Sequence, residues 1–199
     1  MPETITDTID QVVEQTLVHA RAEAPLRAVA ISGSPRAPSK SKTLAERFLD
    51  ALQKLGCETR LIDVAVLPAE ALVVRETSPE IDDAIAAVGQ AQVVAASSPT
   101  YRALYTGVLK CFFDLMPQAH LAGKVCVGLQ TGIAPQHALS PDYGLRPLFA
   151  SLEGVPALTI YATDAEFESG EPSTALSERI HRAAEQAIQL ARGLGPGEA

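Results

Sequence analysis

The chain contains no tryptophan, and aromatic residues make up only 5% of it. Cysteine is scarce as well. Cys57, Cys111 and Cys126 are three in number, widely spaced, and form neither a CxxC pair nor a metal framework. The expectation is reduced, mostly buried thiols. No apolar run approaches the roughly 18 unbroken residues that a transmembrane helix needs. The start, Met1–Asp10, is acidic and lacks the basic-then-apolar order of a secretory signal, so a cytoplasmic location is expected. Positive charge is also in deficit, with 16 Lys and Arg against 24 Asp and Glu and a net charge of -8. That balance argues against a general nucleic-acid surface or an anionic membrane surface. It does not forbid a nucleotide, because a bound phosphate responds to local amides and cations.

What is present is enough apolar residue, 47% of 199, for one domain with an ample core. Thr6–Ala22 carries Ile9, Val12, Val13 and Leu17 at helical spacing, which predicts an amphipathic N-terminal extension over residues 1–24 ahead of a domain over 25–199. Apolar runs predict strands at Arg27–Ser32, Thr59–Ile62, Gln92–Ser97, Lys124–Gln130 and Ala157–Ala162. Between them, helical spacing marks Leu44–Leu55 (closed by Gly56), Pro79–Gln90, Leu104–Leu115 and Pro141–Leu152, and Ser173–Leu194 follows the last strand. Asp63–Ser78 reads as irregular, and Thr163–Ser173 as an acidic loop that is either a flap or a solvated connection. Single apolar runs alternating with helices are the signature of a parallel sheet covered on both faces. The expected fold is α/β: a flavodoxin-like, doubly wound, five-stranded parallel sheet in the order 2-1-3-4-5. Its ligand crevice would lie beyond the ends of the first and third strands.

Two loops follow those strands. The first is Gly33-Ser34-Pro35-Arg36-Ala37-Pro38-Ser39-Lys40-Ser41-Lys42-Thr43. A phosphomonoester wants hydrogen-bond donors and a helix N-terminus aimed at it. Ser34, Ser39, Ser41 and Thr43 offer hydroxyls, Arg36 a bidentate fork, and the segment through Lys42 free amides at a helix start. A plain serine cap is the bland alternative, but capping needs one hydroxyl, not four and an arginine. Ser41-Lys42-Thr43 has the look of an ATP-type loop, yet Arg36 and Ser41 stand where that motif requires glycine. With only Gly33 in the turn, a dinucleotide fingerprint is missing too.

The second loop is Ser98-Pro99-Thr100-Tyr101-Arg102. Pro99, Thr100 and Tyr101 would let backbone and one aromatic edge approach a flat ring. Gly107 reads as a glycine inside a helix, where it is costly unless something approaches closely. Thr131-Gly132 reads as a further turn able to present amides to the ring. Arg102 and Lys110 are cations nearby that could stabilise a reduced anionic ring, although surface charge is the plainer reading of each, above all of Lys110. His120 and His137 are given no role.

These residues resemble the NAD(P)H-dependent FMN reductases of the flavodoxin-like superfamily, and most of all the reductases of two-component alkanesulfonate monooxygenase systems. The resemblance runs from about Arg27 to Ala162. It rests on Gly33-Ser34-Pro35-Arg36 with Ser39 and Ser41, and on Pro99 through Lys110 followed by Asp114-Leu115-Met116-Pro117. A third block joins Leu121-Ala122-Gly123-Lys124, Thr131-Gly132 and Asp142-Tyr143-Gly144-Leu145-Arg146-Pro147. Met1–Ala24 and Thr163–Pro172 fall outside the pattern. The resemblance implies hydride passing from NADPH or NADH to FMN, with reduced flavin leaving for a partner monooxygenase. It also implies a homo-oligomer, dimer or tetramer, and no side chain acting as nucleophile or general base. Two other readings differ in kind: a reductase of quinones, azo dyes or metal ions with bound FMN, and a non-catalytic electron carrier. Against the carrier stand Arg36 in the phosphate loop and the lack of aromatics for both ring faces.

Tyr143 is the modulator that the resemblance suggests. Ser140 is expected to cap the helix, Pro141 to take its first position and Asp142 to suit its positive end. Pro147 then removes one helical hydrogen bond, so a kink or a π-bulge is expected near Tyr143. In the resembling reductases a tyrosine at this place lies in a π-type turn at a subunit interface, close to the flavin.

Overall fold

The structure, a computed structural model, describes residues 25–76 and 78–194. The N-terminal extension predicted over 1–24 lies outside the described residues. Strand β1 spans Arg27–Ser32 and is buried from Ala28 onward. Helix α1, Lys40–Lys54, starts at Ser39, whose hydroxyl accepts from the Lys42 amide at 3.3 Å. It ends where Gly56 takes a φ of +91°, a conformation that glycine adopts without steric penalty. Strand β2 is Glu58–Asp63. Helix α2 is the short Ala69–Val74, and helix α3 is Pro79–Gln90, capped by Ser78 with proline at the first position. Strand β3 is Val93–Pro99 and helix α4 is Gly107–Phe113. Strand β4 is Val125–Gly132, helix α5 is Ser140–Ala150, and strand β5 is Val155–Thr163. The hairpin β6 (Phe167–Glu168) and β7 (Glu171–Pro172) precedes the closing helix α6, Thr174–Leu194.

The main sheet is five-stranded in the order β2-β1-β3-β4-β5, and every neighbouring pair is parallel. Alternation along β1 sends Ala28 and Ala30 to one face and Val29 and Ile31 to the other. Leu44, Phe48 and Leu52 of α1 and Ile180, Ala184 and Ala187 of α6 cover the first face. Ile81 and Val88 of α3, Phe112 of α4, and Leu145 and Phe149 of α5 cover the second. Both faces are therefore dry, and a ligand is left the C-terminal edge of the sheet.

Strand β5 is an outer strand, and a bulge at Ala157 shifts its register: Cys126 pairs with Pro156 but Val127 with Leu158. Arg146 donates to the carbonyls of Pro156 and Ala157 at 2.9 and 3.1 Å, and Arg179 donates to that of Tyr161 at 3.1 Å.

Several expectations need correction. Asp63–Ser78 is not irregular throughout: a 3-10 turn at Val64–Val66 and helix α2 fall within it. Six residues are too few to show a period, and Val73 and Val74 face solvent. The helix read from Leu104 begins only at Gly107, with Thr106 as its cap, so Gly107 is a first-turn residue and not an interior one. A Cβ built there meets nothing within 4 Å, so no protein atom explains this glycine. Helix α5 is entered through Leu139, and Ser140 makes no cap; its hydroxyl serves elsewhere. The helix runs through Pro147 as α-helix, and no π-type turn occurs among the described residues. The Thr163–Ser173 loop is an ordered 3-10 turn and hairpin. Arg47 to Glu171 at 2.8 Å and Arg179 to Glu166 at 3.0 Å pin it to α1 and α6.

Candidate active site

The phosphate loop is built outward from β1. The Gly33 amide donates to the Ser97 carbonyl at 2.7 Å, and the Gly33 carbonyl accepts from Thr106 Oγ1 at 2.5 Å. A Cβ on Gly33 would lie 2.5 Å from Leu109 Cβ, so glycine is required here by the packing of α4. Ser97 Oγ donates to the Ser41 carbonyl at 2.7 Å, which fastens the start of α1 to β3. The first and third strand ends are thus joined by direct hydrogen bonds.

Within the loop, Ser34 Oγ accepts from the Arg36 amide at 3.3 Å and lies 3.1 Å from the Arg36 carbonyl, closing a tight turn. Ser39 Oγ and Ser41 Oγ are 2.9 Å apart. The amides of Lys40 and Ser41 open the helix and take no acceptor among the described residues. Arg36 is exposed, and its guanidinium has no partner among the described residues. The side chains of Lys42 and Thr43 are engaged elsewhere. Lys42 Nζ pairs with Asp63 at 2.7 Å, and that hydrogen bond holds its ammonium above the ordinary lysine range. Thr43 Oγ1 donates to the Ser39 carbonyl at 3.3 Å. Lys40 reaches the other way, to the Asp164 carboxylate at 3.3 Å, so the Thr163–Ser173 segment flanks the mouth of the loop.

The second loop leaves β3 at Pro99. The Thr100 amide donates to the Thr131 carbonyl at 2.7 Å. Tyr101 and Leu104 then exchange backbone hydrogen bonds of 2.8 and 3.2 Å around Arg102 and Ala103. Those two central residues have φ of 51° and 74°, left-handed values that non-glycine residues rarely adopt. The tight turn holds Tyr101 and Arg102 exposed beyond the sheet edge, and Arg102 has no side-chain partner among the described residues. Lys110, by contrast, is paired with Asp114.

Thr131 and Gly132 are not a turn. They are the last residues of β4, paired with Ala162 and Thr163 of β5. Thr131 is buried, and a Cβ on Gly132 would sit 2.2 Å from the Tyr161 hydroxyl. That phenol donates to the Ala134 carbonyl at 2.7 Å, and burial pushes its pKa above the usual tyrosine value. Tyr143 is the opposite of a core tyrosine, 75% exposed on α5. Ile133 and Leu139 are exposed as well, at 85% and 60%, and the Tyr143 amide donates to the Leu139 carbonyl at 3.0 Å.

Free helix-start amides, paired hydroxyls and an unpaired arginine suit a phosphate, and the projecting Tyr101–Leu104 hairpin suits a flat ring. The site chemistry thus fits a flavin mononucleotide. Among the described residues no cluster of His, Cys, Asp or Glu could hold a metal ion, and no helix is long and apolar enough to cross a membrane.

A profile of the NADPH-dependent FMN reductases matches residues 26–168. The chain belongs to that family. It is 36% identical over 161 residues to an FMN reductase (NADPH) of Pseudomonas putida, spanning 77% of this chain and 82% of that one. It is also 36% identical, over 172 residues, to the NADH-dependent FMN reductase SfnF of Pseudomonas fluorescens, spanning 83% and 92%. Among solved structures, the apo form of the NADH:FMN oxidoreductase EMOB aligns with a TM-score of 0.77 at 32% identity, over 87% of this chain and 91% of that one. A flavodoxin, WrbA-like protein from Agrobacterium tumefaciens, at a TM-score of 0.64 and 17% identity, shares the fold.

Two residues of this FMN reductase family member escaped the sequence reading. Tyr161 is the reason for Gly132, yet it sits in an ordinary-looking strand. Gln130 is fully buried in β4, and its amide lies 3.0 Å from Thr100 Oγ1 and 2.7 Å from Ser140 Oγ. A glutamine inside an otherwise apolar run was the available signal.

Proposed function

We propose that the chain is an NAD(P)H:FMN oxidoreductase that binds FMN as an exchangeable substrate and delivers it, reduced, to a partner monooxygenase of sulfur or sulfonate metabolism. The observation that carries this is the joining of the phosphate loop to the β3 loop through Gly33, Ser97 and Thr106, which sets a phosphate cradle beside a ring platform. Family membership and the FMN reductase relatives support the reaction, and the resemblance to the alkanesulfonate-linked reductases suggests the partner.

When bound, FMN supplies a ring that accepts hydride from the reduced nicotinamide. Arg36, Ser39, Ser41 and the amides of Lys40 and Ser41 hold the phosphate. Ser34 shapes the turn that carries Arg36, while Lys42 and Thr43 anchor the loop from behind. Pro99, Thr100, Tyr101 and Arg102 would line the ring, with Arg102 supplying positive charge beside it. Thr131 and Gly132, at the end of β4, would present backbone to the ring. The protein's contribution is orientation and exclusion of water.

The same reading places a homo-oligomer contact at Tyr143, Ile133 and Leu139. Tyr143 and Leu139, one helical turn apart, and Ile133 each expose a large side chain that an assembled subunit would cover. There Tyr143 would favour release of the flavin over its retention.

The test is anaerobic NADPH and NADH oxidation by flavin-stripped protein as free FMN is titrated in. Saturable turnover with accumulation of reduced FMN is expected. Turnover that needs a quinone, with free FMN inert, would favour a bound-flavin reductase. Tight FMN binding without any oxidation of either nicotinamide would favour a carrier.

A further inference from the structure

Gln130 has a hydrogen-bond arrangement that one proton decides. Ser140 Oγ lies 2.6 Å from the Ala103 carbonyl and must donate to it. A hydroxyl has one proton, so Ser140 can only accept from Gln130, and the nitrogen of the amide must face it. Nε2 then spends its protons on Ser140 and Thr100. Oε1 is left buried with no partner among the described residues.

A buried acceptor without a donor destabilises the fold, and an apolar residue of similar shape would remove that penalty. Glutamine is therefore a poor choice for stability here and a good one for geometry. The geometry at stake is the turn at Arg102 and Ala103, which holds two non-glycine residues at positive φ and needs outside support. Ser140 supports it at the Ala103 carbonyl, and Gln130 orients Ser140 while also holding Thr100 at the root of the same hairpin.

We infer that Gln130 is a positioning residue for flavin binding, its side-chain amide fixing the Tyr101–Leu104 hairpin to helix α5 through Thr100 and Ser140. This rests on the reading of the crevice as the flavin site.

The test is FMN affinity of the flavin-free, full-length protein by fluorescence quenching, with the thermal midpoint measured alongside. The variants are Gln130→Leu and Ser140→Ala, with Arg36→Ala as a reference in the phosphate loop. Gln130→Leu is expected to keep or raise the midpoint and to weaken FMN by up to about tenfold, the effect of roughly one lost neutral hydrogen bond at the upper end of its range. Ser140→Ala is expected to weaken FMN in the same direction. In both, hydrogen exchange at the Leu104 amide rises, and KM for FMN increases while KM for the nicotinamide does not. If Gln130→Leu folds and leaves FMN affinity and Leu104 exchange unchanged, the inference is overturned. A lowered midpoint with unchanged FMN affinity also overturns it, making Gln130 a packing residue. Weaker FMN in Arg36→Ala with normal binding in Gln130→Leu would remove only the role of Gln130. Normal binding in all three would remove the crevice reading as well.

Discussion

Thr106 donates its hydroxyl to the Gly33 carbonyl across 2.5 Å, and the same oxygen accepts from the Leu109 amide at 3.3 Å. One side chain thus caps α4 and ties the phosphate loop to it. Replacing it by valine keeps the shape and removes both bonds. Thr106→Val is expected to lower stability by about 1–3 kcal/mol, combining a lost cap with a buried carbonyl left unpaired. Chemical denaturation measures this, and Thr106→Ser should restore most of the loss.

Gly33, packed against α4, and Gly107, in its first turn, should behave in opposite ways. Gly33→Ala puts a methyl 2.5 Å from Leu109 Cβ, which has no flexible end to move. A loss of about 1–3 kcal/mol is expected from overpacking. Gly107→Ala meets nothing within 4 Å and gains helix propensity, so it should be neutral or stabilising by up to about 1 kcal/mol. Thermal midpoints of the two variants, compared side by side, decide the point.

The β6–β7 hairpin should loosen in acid. The Arg47 guanidinium, hydrogen-bonded to Glu171, holds that carboxyl below its ordinary value of 4.5. Its contribution is therefore fully present above that ordinary value and is lost as pH falls through the lowered one. Hydrogen-exchange protection in Phe167–Glu171, corrected for the intrinsic pH dependence of exchange, should fall across that interval. Glu171→Gln should exchange faster at neutral pH and lose the acid step.

Thiol labelling should single out Cys111. Cys57 and Cys126 are buried. Burial pushes the Cys126 thiol up to about 12 and raises that of Cys57 as well, which disfavours the reactive thiolate at both. Cys111 is only partly covered. One fast-reacting thiol per folded chain is expected by mass spectrometry, and Cys111→Ser should abolish it.

Tyr143→Ala removes the largest exposed ring from α5. Under the proposed assembly it should shift sedimentation toward smaller species and alter how long FMN is retained. A wild-type sedimentation profile with unchanged flavin retention would count against the role of Tyr143.

Elements with local cues were legible in the sequence. Helix α3 announces itself through Ser78-Pro79 and one apolar face, and β1 through a short apolar run ending at Gly33. The cradle was legible because hydroxyls, an arginine and a helix start coincide in a single loop. Features set by distant partners were not. Lys42 looks like a phosphate ligand until Asp63, 21 residues away, claims its side chain. Ser140 looks like a cap until Ala103 and Gln130 claim its hydroxyl. The turn at Arg102 and Ala103 carries none of the glycine, asparagine or aspartate that marks left-handed backbone. Its conformation comes from tertiary hydrogen bonds that no local pattern encodes.

Arg146 and Arg179 change what the outer rim of the sheet can do. With the carbonyls of Pro156, Ala157 and Tyr161 already accepting from guanidinium groups, a strand from another molecule finds those acceptors engaged. Pairing of a foreign strand is thereby hindered at those three positions of β5. At those positions a contact with another copy would be made through side chains, and it could part and re-form without unzipping any backbone.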